Sequence, residues 1–437
     1  MVNLKKIFPI KSAAEIFNNK FLVLFLVSLF LIEIPPLYPF FPIRNNILMS
    51  YGIVGIITAT LFFFILIKVL KGDKTFVVKN QNTKLLLIFF LIYFAFQTLS
   101  IVNAFSLGDF IHDYKSIFIA GLFLFITVFV KENVSNFHSK IILILFAAGI
   151  FNFFYQLLIF FTPDLFKTLG GIFVYSSHLN LVLANMQRGR IFIETYDEIL
   201  IPFIFIFFLK MKKDNRNVLF IFLLLMMIIL PTFLSEFRTR ILMLVFSFIA
   251  SIALLQRTKF FRLFTFMFIF AVIYLAYFIL NSTYGHSFID RLNFQSQTQD
   301  VETISFRINN IFYSYDLGIK NPVTGVGLGN YYANLPVQKI SLSDSNNPGA
   351  ELAIASQNPH NIFAQLLSET GFLSLFFYVF MLCYFLISDL KNIRLRKLNE
   401  YSKAFIISFW TLFIYSLFNP VVGLTYNMLF WMLRALI

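Results

Sequence analysis

The chain has 437 residues, of which 59% are hydrophobic, 13% are charged and 63 are phenylalanine. A single soluble core stops growing at about 250–300 residues, so a soluble domain cannot bury this much apolar surface. Long apolar runs recur from one end of the chain to the other, whereas a membrane β-barrel would show alternating segments of about ten residues. The composition excludes both classes and predicts an all-α, polytopic transmembrane helical bundle.

Twelve apolar stretches predict membrane-spanning helices, because a helix needs about 20 mainly apolar residues to cross a bilayer. They lie at 19–36, 47–70, 85–102, 114–131, 139–162, 193–210, 217–234, 240–256, 260–280, 361–388, 403–419 and 421–436. The chain then divides into transmembrane helices one to nine at 1–280, a large external loop with short helices at 281–360, and helices ten to twelve at 361–437.

The net charge of +14 indicates membrane topology rather than binding to nucleic acid. With the N-terminus in the cytoplasm, the loops on that side carry most of the 35 Lys and Arg residues, as the positive-inside rule expects. The first span is followed by PPLYPFFP without a small-residue cleavage site, which predicts a membrane helix rather than a cleaved signal peptide. The single cysteine, Cys383, excludes a disulfide within the chain and a cysteine metal site.

Four arginines fall in short external segments, against the positive-inside tendency. Arg188 and Arg190 precede the sixth span in NMQRGRIFIETYDE, and Arg238 and Arg240 lie at the start of the eighth in LSEFRTRILML. Unpaired N–H groups gather at a helix N-terminus, and a guanidinium offers paired donors to phosphate or carboxylate oxygens. We therefore predict that an anionic ligand binds here.

The alternative interpretation is that these arginines are structural. They can pair with Glu236, Glu194, Asp197 or Glu198, or contact lipid headgroups. Three of these acids (Glu194, Asp197 and Glu198) share one helix face at i, i+3 and i+4. They can hold the arginines in place or, in a transporter, bind a proton or cation.

The external loop contains NPVTGVGLGNYY, which is glycine-rich but is not a nucleotide-binding fingerprint. It lacks the GxGxxG spacing and a surrounding strand–turn–helix unit. Pro322, Gly325, Gly327 and Gly329 instead predict tight turns or a close approach of the backbone to a ligand. The chain also lacks an HExxH motif, a P-loop, a GxSxG motif and a DxD-type acidic pair, so we predict no metal site and no cofactor.

The loop ends in NPHNIFAQLLSETGFLSLFFY, where His360 stands directly before an apolar helix and Glu369 lies inside it. A neutral imidazole can accept a proton near physiological pH, as a general base must. A lone histidine at a membrane boundary is nevertheless more often structural. A carboxylate within a membrane helix indicates a site or an internal pair.

Three segments resemble the O-antigen ligase and polysaccharide polymerase superfamily, membrane glycosyltransferases of bacterial surface-polysaccharide assembly. LSEFRTR is similar to the family's serine–arginine motif, with Arg238 at the arginine position and Phe237 in place of the second serine. SFRINNIFYSYDLGIKNPVTGVGLGNY resembles the segment that opens the family's long loop, with Gly318 following Arg307 after ten residues.

The third segment, HNIFAQLLSETGFLS, is similar to the family's histidine motif. His360 and Asn361 are followed after nine residues by Gly371. Together the three segments extend from residue 235 to about 378, roughly a third of the chain.

The resemblance implies a GT-C-like fold and a donor glycan carried on undecaprenyl pyrophosphate. The glycan is transferred to an acceptor hydroxyl without metal or nucleotide. His360 is then the candidate general base, or the group that orients the acceptor hydroxyl. Arg188, Arg190 and Arg238 hold the pyrophosphate and stabilise the charge that develops as it leaves.

Further substrate-binding residues implied by the resemblance are Arg240, Arg307, Asn361, Glu369 and Glu194. Arg307 binds glycan or pyrophosphate. Glu369 fixes the His360 ring or an arginine, since carboxylates often orient functional groups in this way.

The acceptor decides between two activities within the superfamily. A polymerase transfers the chain to another lipid-linked repeat unit, and a ligase transfers it to lipid A–core. RGRIFIETYDE resembles the arginine-then-glutamate segment of the polymerases, so we favour polymerase. A transporter of lipid-linked oligosaccharides is the alternative from another class, although the two halves of the chain show no internal repeat.

The expected location is the bacterial inner membrane, with the active site facing the periplasm and both termini in the cytoplasm. The expected partners are the lipid-linked donor, the glycan acceptor and membrane lipids. A chain-length regulator is a further candidate partner, and no nucleic acid is expected.

Overall fold

The structure is a computed structural model that describes residues 20–33, 52–70, 78, 80–134, 136–162, 164–165, 168, 183, 195–210, 215–235, 238–255, 299–335, 359–395, 397–419, 421 and 423–437. Within these residues every regular element is a helix. The α-helices are α1 (Lys20–Glu33), α2 (Gly52–Leu70), α3 (Gln81–Leu99), α4 (Leu107–Asn133), α5 (Phe137–Phe161), α6 (Ile201–Lys210), α7 (Asn215–Leu234), α8 (Arg238–Leu255), α9 (Gln299–Lys320), α10 (Ile362–Arg394), α11 (Glu400–Ser416) and α12 (Leu424–Ala435). Short 3₁₀ turns occur at Ser100–Asn103, Asp197–Leu200 and Tyr332–Asn334.

Five described helices are long and apolar enough to cross a membrane: α3 with its following turn, α4, α5, α8 and α10. Helices α1, α2 and α7 contain shorter apolar stretches. Helix α12 has 12 residues, which extend only about 18 Å. The prediction of an all-α, multi-pass membrane protein is confirmed. The count of twelve spans and the GT-C-like fold stay predictions, and the ninth predicted span, 260–280, lies outside the described residues.

Side-chain contacts identify two ends of the bundle. At one end, Arg434 Nη1 on α12 donates to both carboxylate oxygens of Asp389 on α10, at 2.9 and 2.8 Å. At the same end, Lys131 Nζ on α4 donates to the Ala435 carbonyl at 2.7 Å. At the opposite end, the turn between α3 and α4 contacts the segment after α9, where Asn330 Oδ1 accepts from the Ser106 amide at 2.6 Å. The sequence predicts the first of these ends to be cytoplasmic.

Short helix α12 lies at the centre of the bundle rather than at its surface. Trp431 is fully buried, with its ring edge-on to Phe90 of α3 at 4.9 Å between ring centroids. Phe430 contacts Phe409 of α11 at 4.8 Å. The many phenylalanines thus supply aromatic packing between helices, which adds to the energy of apolar burial.

Helix α9 packs along the first turns of α10, and two glycines permit this approach. A Cβ at Gly318 would lie 2.7 Å from the side chain of Leu367. Gly371 interrupts α10 with φ 84° and ψ 177°, a conformation that only glycine adopts readily. A Cβ there would lie 2.7 Å from the carbonyl oxygen of Pro322. The glycine positions singled out in the sequence segments therefore join α9 and its following turn to α10.

The predicted turns after α9 are confirmed. Gly325, Gly327 and Gly329 all have positive φ, at 63°, 95° and 72°. Their close neighbours are backbone atoms of this chain, because a Cβ at Gly325 would lie 2.3 Å from the Glu369 carbonyl carbon. The Gly327 amide also donates to the Glu369 carbonyl oxygen at 3.0 Å. The close approach is thus to the chain itself.

Gly371→Ala tests this packing. We expect it to lower stability by about 1–3 kcal/mol from backbone strain, with a further loss from the steric clash. Thermal unfolding in detergent measures the change. Gly108→Ala is the matched control, because a Cβ there meets only the Ser106 hydroxyl at 3.8 Å. Equal unfolding temperatures for the two variants would contradict the close packing and the positive φ at Gly371.

Candidate active site

Two electrostatic interactions connect three predicted site residues, with Arg307 as the shared partner. Arg238 is the first residue of α8 and is exposed, Arg307 lies in α9 and is half-buried, and His360 directly precedes the cap of α10 and is half-buried. The charge of Arg238 acts on Arg307, and the charge of Arg307 acts on His360. The packing of α9 on α10 thus brings the Arg307 guanidinium near the His360 imidazole, and the beginning of α8 adds Arg238.

The surroundings of His360 keep its ring neutral. Burial, and then the positive charge of Arg307, lower the pKa of His360 from 6.5 to about 4. Burial and the charge of Arg238 likewise lower the pKa of Arg307, although an arginine stays protonated at physiological pH. The group therefore combines fixed positive charge with a ring nitrogen that can accept a proton.

The two arginines of α8 point to different surroundings. Arg240 is 1% exposed, and its Nε donates to Glu198 Oε1 at 2.6 Å. Its Nη2 lies 3.8 Å from Asp197 Oδ2, and Thr232 Oγ1 donates to the same Glu198 oxygen at 2.7 Å. For Arg240 the alternative interpretation from the sequence, pairing with these carboxylates, is the one that the contacts show. Its side chain joins α8 to the turn before α6, and its role in substrate binding stays a prediction.

Asn361 forms the N-cap of α10. Its Oδ1 accepts from the amides of Phe363 and Ala364 at 2.9 and 3.1 Å, and its Nδ2 donates to the Leu417 carbonyl at 2.9 Å. These contacts occupy its amide at the helix end and tie α10 to the end of α11. They provide a structural reason for the asparagine in the histidine segment, and its role in substrate binding stays a prediction.

Glu369 follows His360 by nine residues and lies inside α10, which begins at Ile362. Its side chain is buried, its Oε2 accepts from Gln365 Nε2 at 3.1 Å, and it interacts with Asp113 of α4. The described contacts place Glu369 beneath the turns after α9, and its role in orienting His360 or an arginine stays a prediction.

Three other predicted residues, Arg188, Arg190 and Glu194, lie outside the described residues, and their roles stay predictions. Sequence reasoning did not select Asp113 or Gln97, although both are buried close to Glu369. The available signal was a carboxamide inside the third predicted span and a carboxylate directly before the fourth.

A family comparison covers the segment that contains this site. Residues 222–379 match a family model described as O-antigen ligase. The matched segment covers less than half of the chain. It begins in α7 and ends in α10, so it includes Arg238, Arg307 and His360. The predicted superfamily is confirmed. A comparison with curated proteins gives no match.

Arg307→Gln tests the electrostatic link within the matched segment. Removing a positive neighbour favours the protonated imidazole, so we expect the pKa of His360 to rise from about 4 while remaining below 6.5 because the burial is retained. An NMR titration of histidine-labelled protein measures this, with His360→Gln identifying the resonance. Lys320→Gln, on the exposed end of α9, should leave the titration unchanged. An unaltered pKa in Arg307→Gln would contradict the proximity.

Arg240→Leu and Arg238→Leu separate stability from ligand binding. Removing one partner of a buried ion pair costs about 3–5 kcal/mol, because the remaining carboxylate stays buried without its counter-charge. An exposed arginine typically contributes within about 0.5 kcal/mol. Thermal unfolding in detergent should therefore show a large loss for Arg240→Leu and almost none for Arg238→Leu. Similar losses of stability in the two variants would contradict a structural role for Arg240 and a ligand-binding role for Arg238.

Proposed function

We propose that this protein is an inner-membrane glycosyltransferase that polymerises undecaprenyl-pyrophosphate-linked repeat units into O-antigen or a related surface polysaccharide. The observation that carries the proposal is the grouping of Arg238 and Arg307 with a neutral His360 inside the segment that matches the O-antigen ligase family model. Guanidinium groups suit pyrophosphate oxygens, and a neutral imidazole suits removal of a proton from a hydroxyl. The proposed site faces the periplasm, and both termini lie in the cytoplasm.

In the proposed reaction, the acceptor hydroxyl oxygen forms a bond to the anomeric carbon of the donor glycan. The bond from that carbon to the phosphate oxygen breaks, and undecaprenyl pyrophosphate leaves with the bonding electrons. His360 takes the hydroxyl proton. Arg238 and Arg307 stabilise the negative charge on the leaving group, and fixed donors in such positions supply much of the catalysis in many enzymes.

Donor binding also adjusts the base. A histidine with a pKa of about 4 is a weak base at neutral pH, and general bases work best near the operating pH. The positive charge of Arg307 contributes to that low pKa, and a bound pyrophosphate offsets this charge. In our proposal, His360 therefore becomes a stronger base only when the donor is in place.

The arrangement favours an enzyme over a transporter. A transport pathway would distribute its charged groups along the axis of the bundle, near the bilayer midplane. Arg238 and Arg307 instead lie together at the N-terminal end of α8 and beside the beginning of α10. Charges concentrated at one end suit binding of a lipid-linked substrate at the membrane surface.

The acceptor remains the distinction between polymerase and ligase. The segment RGRIFIETYDE supports polymerase by its resemblance, and the match to an O-antigen ligase family model supports the ligase as second candidate. Both activities use the same donor chemistry, so the arginines and His360 keep their proposed roles in either case. The ligase would transfer the glycan to lipid A–core.

Gel electrophoresis of lipopolysaccharide tests the proposal. The samples come from a source strain in which this gene has been deleted, and from the same strain complemented with wild type or His360→Ala. We expect core bearing a single repeat unit in the deletion and with His360→Ala, and a full ladder with wild type. Bare core with glycan retained on the lipid carrier would identify the ligase. An unchanged ladder in the deletion would contradict both activities.

Arg238→Lys tests the pyrophosphate contact. An ammonium cannot reproduce the paired donors of a guanidinium, so we expect turnover with a lipid-linked donor to fall about 10²–10³-fold. Arg394→Lys is the matched control, since Arg394 is exposed at the opposite end of α10. Near-normal turnover in Arg238→Lys would count against clamping by this arginine.

A further inference from the structure

A small polar cavity lies between α3, α4 and α10, below the turns that follow α9. Its volume is about 10 Å³, enough for about one water-sized species. Its polar lining includes Gln97, Asp113, Gln365 and Glu369. The lining thus has two carboxyl groups and two carboxamides. Among the described residues, no group of three or more His, Cys, Asp or Glu side chains is placed to hold a metal ion.

The two carboxyl groups are buried and already use part of their bonding capacity. Glu369 Oε2 accepts from Gln365 Nε2 at 3.1 Å, and Asp113 Oδ1 lies 2.8 Å from His112 Nδ1. Glu369 also lies close to the backbone of Gly329, and a Cβ at that glycine would be 3.1 Å from Asp113 Oδ2. The two acids therefore converge beneath the same backbone turn.

Gln97 indicates that the cavity has an occupant. Its side chain is 0% exposed, and neither its Nε2 nor its Oε1 has a hydrogen-bond partner among the residues that the structure describes. Buried amides are almost always satisfied by protein, water or a ligand. Gln97 lines the cavity beside two acids, so its side-chain oxygen is available to bind a species in the cavity.

The charge balance distinguishes this cavity from the other buried acids of the bundle. Asp197 and Glu198 face Arg240, and Asp389 is paired with Arg434. No arginine or lysine lines the cavity among the described residues. A buried acid needs a cationic partner, a metal ion or a neutralising proton, and a bound cation would balance these two acids.

Positive charge reaches only one of the two acids from the described neighbours. The half-exposed His112 contacts Asp113, and the ammonium of Lys115 lies within electrostatic reach of the same carboxylate. Glu369 has amide donors around it and no cationic neighbour among the cavity-lining residues. About one negative charge, that of Glu369, is therefore left without a cationic neighbour among the residues that line the cavity.

We propose that this cavity binds one monovalent cation of about the size of sodium, coordinated by oxygen atoms of Glu369, Asp113 and Gln97. Carboxylate and carboxamide oxygens suit hard cations. Calcium fits less well, because it takes six to eight oxygen ligands and one oxygen of each carboxyl group already faces a nitrogen donor.

The cation would fasten the external segment to the bundle. The Glu369 carbonyl accepts from the Gly327 amide, and Gly327 belongs to the segment that follows α9. Helix α9 carries Arg307, so the cation site supports the platform of the candidate active site. The proposal does not depend on which glycan acceptor the protein uses.

Thermal unfolding of the full-length protein in detergent tests this site. Wild type is compared in sodium chloride and in choline chloride at equal ionic strength. We expect a saturable rise of about 2 °C or more in Tm at ten times the half-saturating sodium concentration. Coincident Tm values in the two salts would overturn the proposal, since a water molecule or a shared proton would then occupy the site. Binding of radioactive sodium should give one ion per chain.

Variants identify the ligands. Glu369→Gln should abolish the sodium-dependent rise, and Asp316→Asn, an exposed acid on α9, should retain it. Gln97→Leu keeps the test valid if the acidic variants fail to fold, because it removes an amide that has no hydrogen-bond partner among the described residues. We expect Gln97→Leu to fold in choline chloride and to lose the response to sodium. A full sodium response in Gln97→Leu would overturn the proposed coordination.

Discussion

The close contact of α9 with α10 is the constraint on which the candidate site depends. Arg307 and His360 lie on different helices, so their interaction requires these helices to touch. Gly318 provides the space for Leu367, and the interruption at Gly371 accepts the backbone of the turn after α9. The spacing from arginine to glycine and from histidine to glycine thus has a mechanical basis. Arg307 and Gly318 both lie on α9. Gly371 lies in α10, and His360 stands directly before the cap of that helix.

Position on a helix decides the role of the two arginines of α8. Two residues correspond to a rotation of about 200°, so Arg238 and Arg240 project from nearly opposite faces. The inward one meets the acids before α6, and the outward one is exposed beside α9. The sequence left both a ligand and pairing with acids open for these arginines, because periodicity shows that two faces exist without showing which face meets a carboxylate.

The membrane class, the turns after α9 and the family segments were all predictable, because each depends on local composition or on short motifs. Which apolar stretches cross the membrane was harder to predict, because hydropathy cannot distinguish a short buried helix such as α12 from a spanning one. The environment of Glu369 was not predictable either. Its neighbours Asp113 and Gln97 belong to helices from another part of the chain, and only tertiary packing brings them together.

Electrostatics separates the functional end of the bundle from its structural contacts. Within the protein, ion pairs such as Arg434–Asp389 combine opposite charges, and the low dielectric makes that pairing necessary. At the candidate active site, the charge of Arg238 lowers the pKa of Arg307, and the charge of Arg307 lowers the pKa of His360. Such a gathering of like charge works against the folded state on its own. An anionic substrate reverses this cost, so the arrangement is better explained by ligand binding than by stability.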